Sequence, residues 1–144
     1  MTAALLLDTH IALWLDSGDE HLRPATRALI QACWTDGGTI FLSAVTAWEI
    51  ALLVDTGRVN LDVAVPRWVE RFMGRPGFVA APLGCRPASS AYLVDAIEHR
   101  DPADSLLIAT AIDLACPLVT YDARIAAFGA THGRRYGFEV AADA

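Results

Sequence analysis

Short apolar runs alternate along the chain with longer stretches in which apolar residues recur every three or four positions. The short runs favour buried strands and cover residues 3–7, 39–42, 77–81 and 117–120. The longer stretches favour helices and cover residues 9–16, 24–34, 44–55, 66–73, 87–98 and 102–114. This alternation predicts an α/β fold around a parallel sheet.

Residues with the matching local preference stand at several predicted helix boundaries. Pro24 suits the first position of a helix, and Ser43 and Asp101 suit the capping position before one. The tail, residues 131–144, is harder to interpret, and within it only residues 136–140 favour a strand, at the edge of the sheet.

The composition agrees with one compact domain. Of the 144 residues 54% are hydrophobic and the mean hydropathy is +0.36, so we expect some apolar surface to contact a partner or a second copy. No apolar run approaches the roughly 20 residues of a membrane span. A signal peptide begins with a positively charged region, but no Lys or Arg precedes Arg23. We therefore expect a single cytoplasmic domain over residues 1–144 with no membrane association.

The polar composition narrows the possible chemistry. The three cysteines and four histidines are scattered without zinc-binding spacing, and we expect the cysteines to be reduced core residues. A net charge of −6 argues against a general nucleic-acid coat protein, although not against a nuclease whose acids bind metal ions. All 11 basic residues are arginines.

Two acids directly follow predicted strands. Asp8 follows the first strand, and Asp122 follows the strand at 117–120. Ligands of open parallel sheets gather beyond the carboxyl ends of the strands. Each aspartate taken alone is more often a turn or helix-capping residue.

A glutamate lies on an apolar stripe of a predicted helix. Glu49 has Val45, Leu52 and Leu53 three or four positions away, and this helix is apolar nearly all round, which predicts burial. A buried glutamate must be paired, protonated or bound to metal. Pairing with an arginine is the alternative to a functional role.

A fourth acid begins another apolar stripe. Asp104 precedes Leu107, Ile108 and Ala111 on the core-facing side of its helix. An acid in a first turn also suits the helix dipole, which would be a purely structural role. Asp101, one turn earlier and off the stripe, is the better candidate for capping alone.

Convergence of these four acids at one end of a sheet would require a counter-charge. Clustered carboxylates repel, and some take up protons at neutral pH unless a cation intervenes. Carboxylate oxygens suit Mg²⁺ or Mn²⁺, and such an ion can lower the pKa of a bound water and orient a phosphodiester. No nucleophilic side chain is then required, and the chain contains neither a G-x-S-x-G elbow nor a glycine-rich phosphate loop.

Four segments around these acids resemble the motifs of PIN-domain ribonucleases, specifically the VapC-type toxins of bacterial toxin–antitoxin pairs. In chain order they are LLLDTHIALWLDSGD, LSAVTAWEIALL, HRDPADSLLIATA and PLVTYDARIAAFG, and together they span residues 5 to about 129. The resemblance implies a three-layer α/β/α fold with a central parallel sheet. It also implies Mg²⁺-dependent hydrolysis of RNA by metal-activated water, with Mn²⁺ as a substitute ion. A homodimer and a small protein antitoxin that blocks the site are further implications.

The same resemblance implies roles for the acids. Asp8 and Asp104 would be the main metal ligands. Asp122 would complete the metal site directly or through water, and Glu49 would hold a ligand water or help to activate the nucleophile. All four are thus candidate catalytic residues and metal ligands.

Residues around the acids are candidates for support and substrate binding. Thr9 and Thr120 could position a carboxylate or a water, although structural hydrogen bonding is the commoner role of such hydroxyls. The arginines that could contact RNA phosphates are Arg58, Arg67, Arg71, Arg75, Arg100 and Arg124, with Arg58, Arg100 and Arg124 placed first. For any one of them an ordinary surface role is the alternative.

Apolar residues of the early helices are candidates for partner binding. A groove for an antitoxin helix could be formed by Ile11, Trp14, Leu15, Leu29 and Ile30, with core burial as the alternative. The tryptophans Trp14, Trp34, Trp48 and Trp68 could stack on bases, but packing in a core or interface is favoured for each.

Three positions depart from the pattern of such toxins. Many of them carry a lysine near Leu53, an aromatic residue near Ala103 and an arginine near Ser105. These departures leave the acids intact, so they bear on substrate affinity and on the choice of RNA rather than on metal binding.

Other classes of protein fit less well. A phosphatase of the haloacid dehalogenase type needs a second acid where His10 stands and a lysine elsewhere, and a receiver domain also needs a lysine, which the chain lacks. A non-catalytic PIN-like module that binds RNA or protein is the remaining alternative, and the complete set of acids argues against it.

Overall fold

The computed structural model describes residues 3–93 and 101–141. Its strands are β1 (Ala4–Leu7), β2 (Thr39–Ser43), β3 (Phe78–Ala81), β4 (Leu118–Val119) and β5 (Val140–Ala141). Its helices are α1 (Thr9–Ser17), α2 (Pro24–Thr35), α3 (Ala44–Asp55), α4 (Val65–Met73), α5 (Cys85–Ser90), α6 (Pro102–Leu114) and α7 (Ala123–Tyr136), and a 3₁₀ turn (Ala91–Leu93) follows α5.

The five strands form one parallel sheet in the order β3-β2-β1-β4-β5. The chain proceeds from β1 to β2 and β3 on one side and then continues with β4 and β5 on the other. The crevice between the carboxyl ends of β1 and β4 is therefore the topological switch point, where open α/β sheets bind their ligands.

Two helical layers cover the sheet. Because successive side chains of a strand point to opposite faces, Leu5 and Leu7 pack against α1, α2 and α4, whereas Leu6 packs against α6 and α7. Helix α3 contributes to both sides through Ile50 and Val45. The α/β/α architecture expected from the sequence is confirmed.

Most predicted boundaries lie within one or two residues of the observed ones. The helix predicted over 87–98 differs, because α5 already begins at Cys85 and changes to a 3₁₀ turn at Ala91. The hydroxyls of Ser89 and Ser90 donate to the Arg86 carbonyl at 3.1 and 2.8 Å, a local bond that competes with regular helix geometry. The remainder of that prediction lies outside the described residues.

The strand predicted over residues 136–140 is wrong for most of its length. Helix α7 continues to Tyr136 and ends at Gly137 in a left-handed conformation, with φ of 66°. The strand β5 begins only at Val140. At Gly133 a Cβ would lie 2.4 Å from the Phe138 carbonyl oxygen, so glycine lets the returning chain pack closely on the helix.

Helix α3 is apolar on nearly all sides and is expected from the sequence to be buried, but one of its sides faces solvent. Trp48 is 60% exposed and Leu52 is 44% exposed, although Ile50 and Val45 are buried. Helix α3 thus leaves two large apolar side chains one turn apart on the surface. No helix in the described part of the chain is long and apolar enough to cross a membrane.

A buried polar contact ties α1 to α4. The indole Nε1 of Trp68, a residue that is 1% exposed, donates to Asp16 Oδ2 at 2.9 Å. Arg75 donates from Nη2 to Asp16 Oδ1 at 2.8 Å. Asp16 therefore satisfies a donor that water cannot reach.

The variant Asp16→Ala should lower the free energy of unfolding by about 2 kcal/mol, because it leaves the Trp68 indole N–H buried without an acceptor. Urea denaturation measures this change. Asp62→Ala is the matched control, since it removes an exposed ion pair with Arg71 and should cost much less. Equal losses in the two variants would contradict the role of Asp16.

Candidate active site

Asp8 accepts a hydrogen bond at each of its two carboxylate oxygens. It lies directly after β1 and caps α1, and its Oδ1 accepts from the Thr9 backbone N–H at 2.7 Å. Its Oδ2 accepts from the Thr120 hydroxyl at 2.6 Å. Burial raises the pKa of Asp8 against the lowering effect of these two bonds.

Glu49 approaches Asp8 from α3 and is held by the residue that follows Asp8. Its Oε1 accepts from the Thr9 hydroxyl, whose oxygen lies 3.4 Å from the Thr46 hydroxyl oxygen. The pKa of Glu49 is raised, first by burial and then by the charges of Asp8 and Asp101.

Asp122 lies three residues beyond the end of β4 and caps α7. Its Oδ1 accepts from the backbone N–H groups of Arg124 and Ile125 at 2.8 and 3.1 Å. The Thr120 hydroxyl oxygen accepts from the Asp122 backbone N–H at 3.0 Å. One threonine thus links Asp8 and Asp122.

Asp104 enters the site from the first turn of α6. Its pKa is raised to about 7 by burial and by the nearby charges of Asp101, Asp122, Asp8 and Glu49. Among the described residues, no hydrogen bond or ion pair engages its carboxylate, in contrast to the other three acids. Asp101 is the N-cap of α6 through a 2.9 Å bond from the Ala103 N–H, as its position in the sequence predicts.

The structure places the other three sequence-predicted acids, Asp8, Glu49 and Asp122, within electrostatic reach of Asp104 near the switch point. Within residues 3–93 and 101–141, no three His, Cys, Asp or Glu side chains approach closely enough to enclose a metal ion. Mg²⁺ does not require such a cage, because it keeps several waters and commonly uses one or two carboxylates. The carboxylate oxygens of these acids are hard donors, and their negative charges repel one another, so they suit a divalent cation such as Mg²⁺.

The threonines beside the acids both contact carboxylates. Thr9 and Thr120 are buried, at 1% and 2% exposure, and their hydroxyls donate to Glu49 and Asp8. Whether these contacts serve the chemistry stays a prediction.

The arginine candidates divide into two groups. Arg71 and Arg75 pair with Asp62 and Asp16, which assigns them structural contacts. Arg124 is exposed beside the cluster, with Nε 3.9 Å from Asp122 Oδ1. Exposed positions are also occupied by Arg58 and Arg67, and Arg100 lies outside the described residues.

The three positions that depart from the toxin pattern are all buried. Leu53, Ala103 and Ser105 are 9%, 4% and 6% exposed. Leu53 packs in the core with α1, α2 and α4, and Ala103 packs with α6 and α7. These residues are part of the packing here and present little surface to a substrate.

The expected apolar groove is partly present. Ile11 belongs to the core, whereas Leu15, Ile30, Trp34 and Phe78 line a surface groove of about 390 Å³ whose rim includes Arg27 and Gln31. Trp34 is 44% exposed, and its indole Nε1 donates to the Pro76 carbonyl at 2.5 Å. Sequence reasoning missed Trp34 as a groove residue, although it lies on α2 with Ile30, and it missed Phe78 because that residue comes from the distant strand β3.

Comparison with known proteins gives the family. The family model of the PIN domain matches residues 5–130, and the chain belongs to the PIN domain family. Ribonuclease VapC22 of Mycobacterium tuberculosis H37Rv is 29% identical over 123 residues, which cover 84% of this chain and 88% of the relative.

Two solved structures share the fold. FitAcB from Neisseria gonorrhoeae superposes with a TM-score of 0.53 at 22% identity, covering 88% of this chain and 93% of the other. FitAB bound to an IR36 DNA fragment gives a TM-score of 0.54 at 20% identity, covering 95% and 93%.

The raised pKa of Asp104 predicts a pH-dependent stability in the absence of divalent ions. The folded state keeps a proton up to about pH 7 that the unfolded state, with a pKa of 3.8, releases earlier. Stability should therefore fall as the pH rises from about 4 to about 7. Asp104→Asn should remove this loss and be more stable than the wild type at pH 8 by about 2 to 4 kcal/mol.

Urea unfolding at pH 4, 6 and 8 in EDTA measures this difference. Asp113→Asn, an exposed change on the same helix, is the control and should follow the wild type. Parallel pH profiles for the wild type and Asp104→Asn would show that the pKa of Asp104 is not raised in the folded state.

Proposed function

We propose that this protein is an endoribonuclease, the toxin component of a toxin–antitoxin pair, which hydrolyses RNA phosphodiester bonds with the help of Mg²⁺. The observation that carries the proposal is the convergence of Asp8, Glu49, Asp104 and Asp122 in the crevice between β1 and β4. Membership of the PIN domain family and the 29% identity with a protein named Ribonuclease VapC22 support it.

Asp8 and Asp104 are the residues that would hold the ion, with Mn²⁺ as an alternative. Asp8 is kept in place by two donors, and the Asp104 carboxylate has no other engagement among the described residues. When bound, such an ion lowers the pKa of a coordinated water and stabilises charge on the phosphate. It would also relieve the repulsion that raises the pKa of Asp104.

The remaining acids have complementary tasks. Thr9 occupies Oε1 of Glu49 and leaves Oε2 to hold a water or to accept its proton, and a raised pKa suits that acceptance. Asp122 is anchored through Oδ1 by the start of α7, which leaves Oδ2 to complete the site through water. Arg124, which lies beside Asp122, would contact a phosphate of the substrate.

The proposed function implies partners and a location. RNA is the substrate, a protein antitoxin is the inhibitor, and the cytoplasm is where both would be met. We propose a homodimer as the working form, for which exposed Trp48 and Leu52 on α3 offer apolar surface. Sedimentation equilibrium tests this proposal, since a homodimer has twice the 15.5 kDa mass of one chain.

The variants Asp8→Asn and Asp104→Asn should each lower the rate of RNA cleavage by at least about 10²-fold, because each removes a charged ligand with little change of shape. The measurement is digestion of structured RNAs with Mg²⁺, with Mn²⁺ and with EDTA. The wild type in EDTA should be as inactive as the variants. Asp113→Asn is the control and should cleave normally.

Unchanged cleavage by both acid variants would refute the assignment. A wild type that binds RNA with Mg²⁺ but leaves it intact would favour the alternative of a non-catalytic PIN-like module. Expression without a partner separates the two further, since the nuclease should slow growth and the module should be harmless.

We propose that the groove beside Leu15 and Trp34 is the binding site for an apolar helix of the antitoxin. Gln31→Trp should fill the groove from its rim and weaken the association with a co-expressed antitoxin, without changing RNA cleavage by the isolated protein. Ala28→Trp, also exposed on α2 but away from the groove lining, is the matched control. Co-purification measures the association, and equal retention by both variants would place the antitoxin elsewhere.

A further inference from the structure

Four rings and one guanidinium form a connected group beside the acids, here called the aromatic stack (His10, Trp14, His21, Tyr121 and Arg23). The Trp14 ring lies 5.3 Å from His21 in a stacked arrangement, 5.6 Å from His10 and 5.9 Å from Tyr121. The Arg23 guanidinium carbon lies 4.2 Å over the Tyr121 ring. The sequence gives no periodic signal for the whole group, because its members come from α1, the α1–α2 loop and the loop between β4 and α7.

One side of the aromatic stack is exposed to solvent, and the other side packs against the core. His10, His21 and Arg23 are exposed, whereas Trp14 and Tyr121 are half-buried and pack on the core. Asp19 accepts from the His21 backbone N–H at 2.8 Å, and its carboxylate lies 2.6 Å from the His21 ring nitrogen Nδ1. Ring faces are therefore presented to solvent without needing to rearrange, which lowers the entropic cost of binding a flat ligand.

The aromatic stack is adjacent to the acids in the sequence and in the fold. Tyr121 stands between Thr120, which donates to Asp8, and the acid Asp122. His10 follows Asp8 by two residues and opposes the rise in the pKa of Asp8 and of Glu49, which places its ring within electrostatic reach of both.

We propose that the aromatic stack binds an unpaired nucleobase of the RNA next to the phosphate held at the acids. This inference rests on the proposed function and adds to it the surface that would take a base of the substrate. Unpaired bases offer a free ring face to aromatic side chains and to guanidinium groups, whereas the faces of paired bases are covered in a helix. In a protein of net charge −6, attraction of the phosphate backbone is weak, so base stacking supplies a large share of the affinity.

The test compares two labelled 2′-O-methyl oligonucleotides in EDTA, which prevents cleavage. One carries bases throughout, and the other has the same phosphates but abasic central positions. Fluorescence anisotropy gives the Kd of each. The wild type should bind the base-bearing probe more tightly than the abasic probe, and binding of the base-bearing probe should be lost when it is paired with its complement.

His10→Ala and His21→Ala should each weaken binding of the base-bearing probe about five- to tenfold, with no change for the abasic probe. His132→Ala is the matched control, since His132 also lies beside a ring, that of Phe128, but ten residues along α7 from Asp122, or about 15 Å. Thermal unfolding of each variant checks that the fold is retained, and both substituted histidines of the stack are on the surface.

Equal affinity of the wild type for the two probes, or an equal loss for both probes in the variants, would overturn the inference. Unchanged affinities combined with lost co-purification of the protein antitoxin would also overturn it and assign the stack to a protein partner. A wild type that shows the expected probe preference but cleaves no RNA with Mg²⁺ would contradict the proposed function and leave the stack as a base-binding surface.

Discussion

Burial of several carboxylates close to one another, in the crevice between β1 and β4, is the constraint on which the site depends. The sheet order places the ends of these two strands side by side, and α3 and α6 each add one more acid to the same space. Burial, and after it the negative charge of neighbouring acids, raises the pKa of Asp8, Glu49 and Asp104. The fold tolerates this arrangement because backbone N–H groups and threonine hydroxyls donate to individual carboxylate oxygens. The proposed cation would neutralise the charge that remains.

Two of the acids also serve the scaffold. Asp8 caps α1 and Asp122 caps α7, so the capping role that each aspartate suggests when taken alone and its place in the cluster are both correct. The Thr9 backbone N–H at the start of α1 opposes the rise in the pKa of Asp8 that burial causes. Asp104 differs from these two, because Asp101 caps α6 and no hydrogen bond within residues 3–93 and 101–141 engages the Asp104 carboxylate.

Sequence patterns were sufficient for the fold class and for the location of the acids, because both depend on local periodicity and on which residue follows a strand. They were insufficient where a tertiary contact decides the outcome. The limits of β5 depend on the close approach of Phe138 to Gly133, and the exposure of Trp48 and Leu52 depends on which side of α3 the sheet covers. The aromatic stack and the groove beside Trp34 likewise join residues that are far apart in the chain, so no single window of sequence reveals them.

The strand β4 is only two residues long and pairs with both β1 and β5. The Asp8 backbone N–H donates to the Val119 carbonyl at 3.0 Å, and the bond from Thr120 to Asp8 continues the pairing one residue further through side chains. Strand pairing and carboxylate orientation thus share the same few bonds. Fraying of β4 from β1 would release Asp8 from its fixed orientation, so amide hydrogen exchange at Asp8 and ion affinity should be thermodynamically linked.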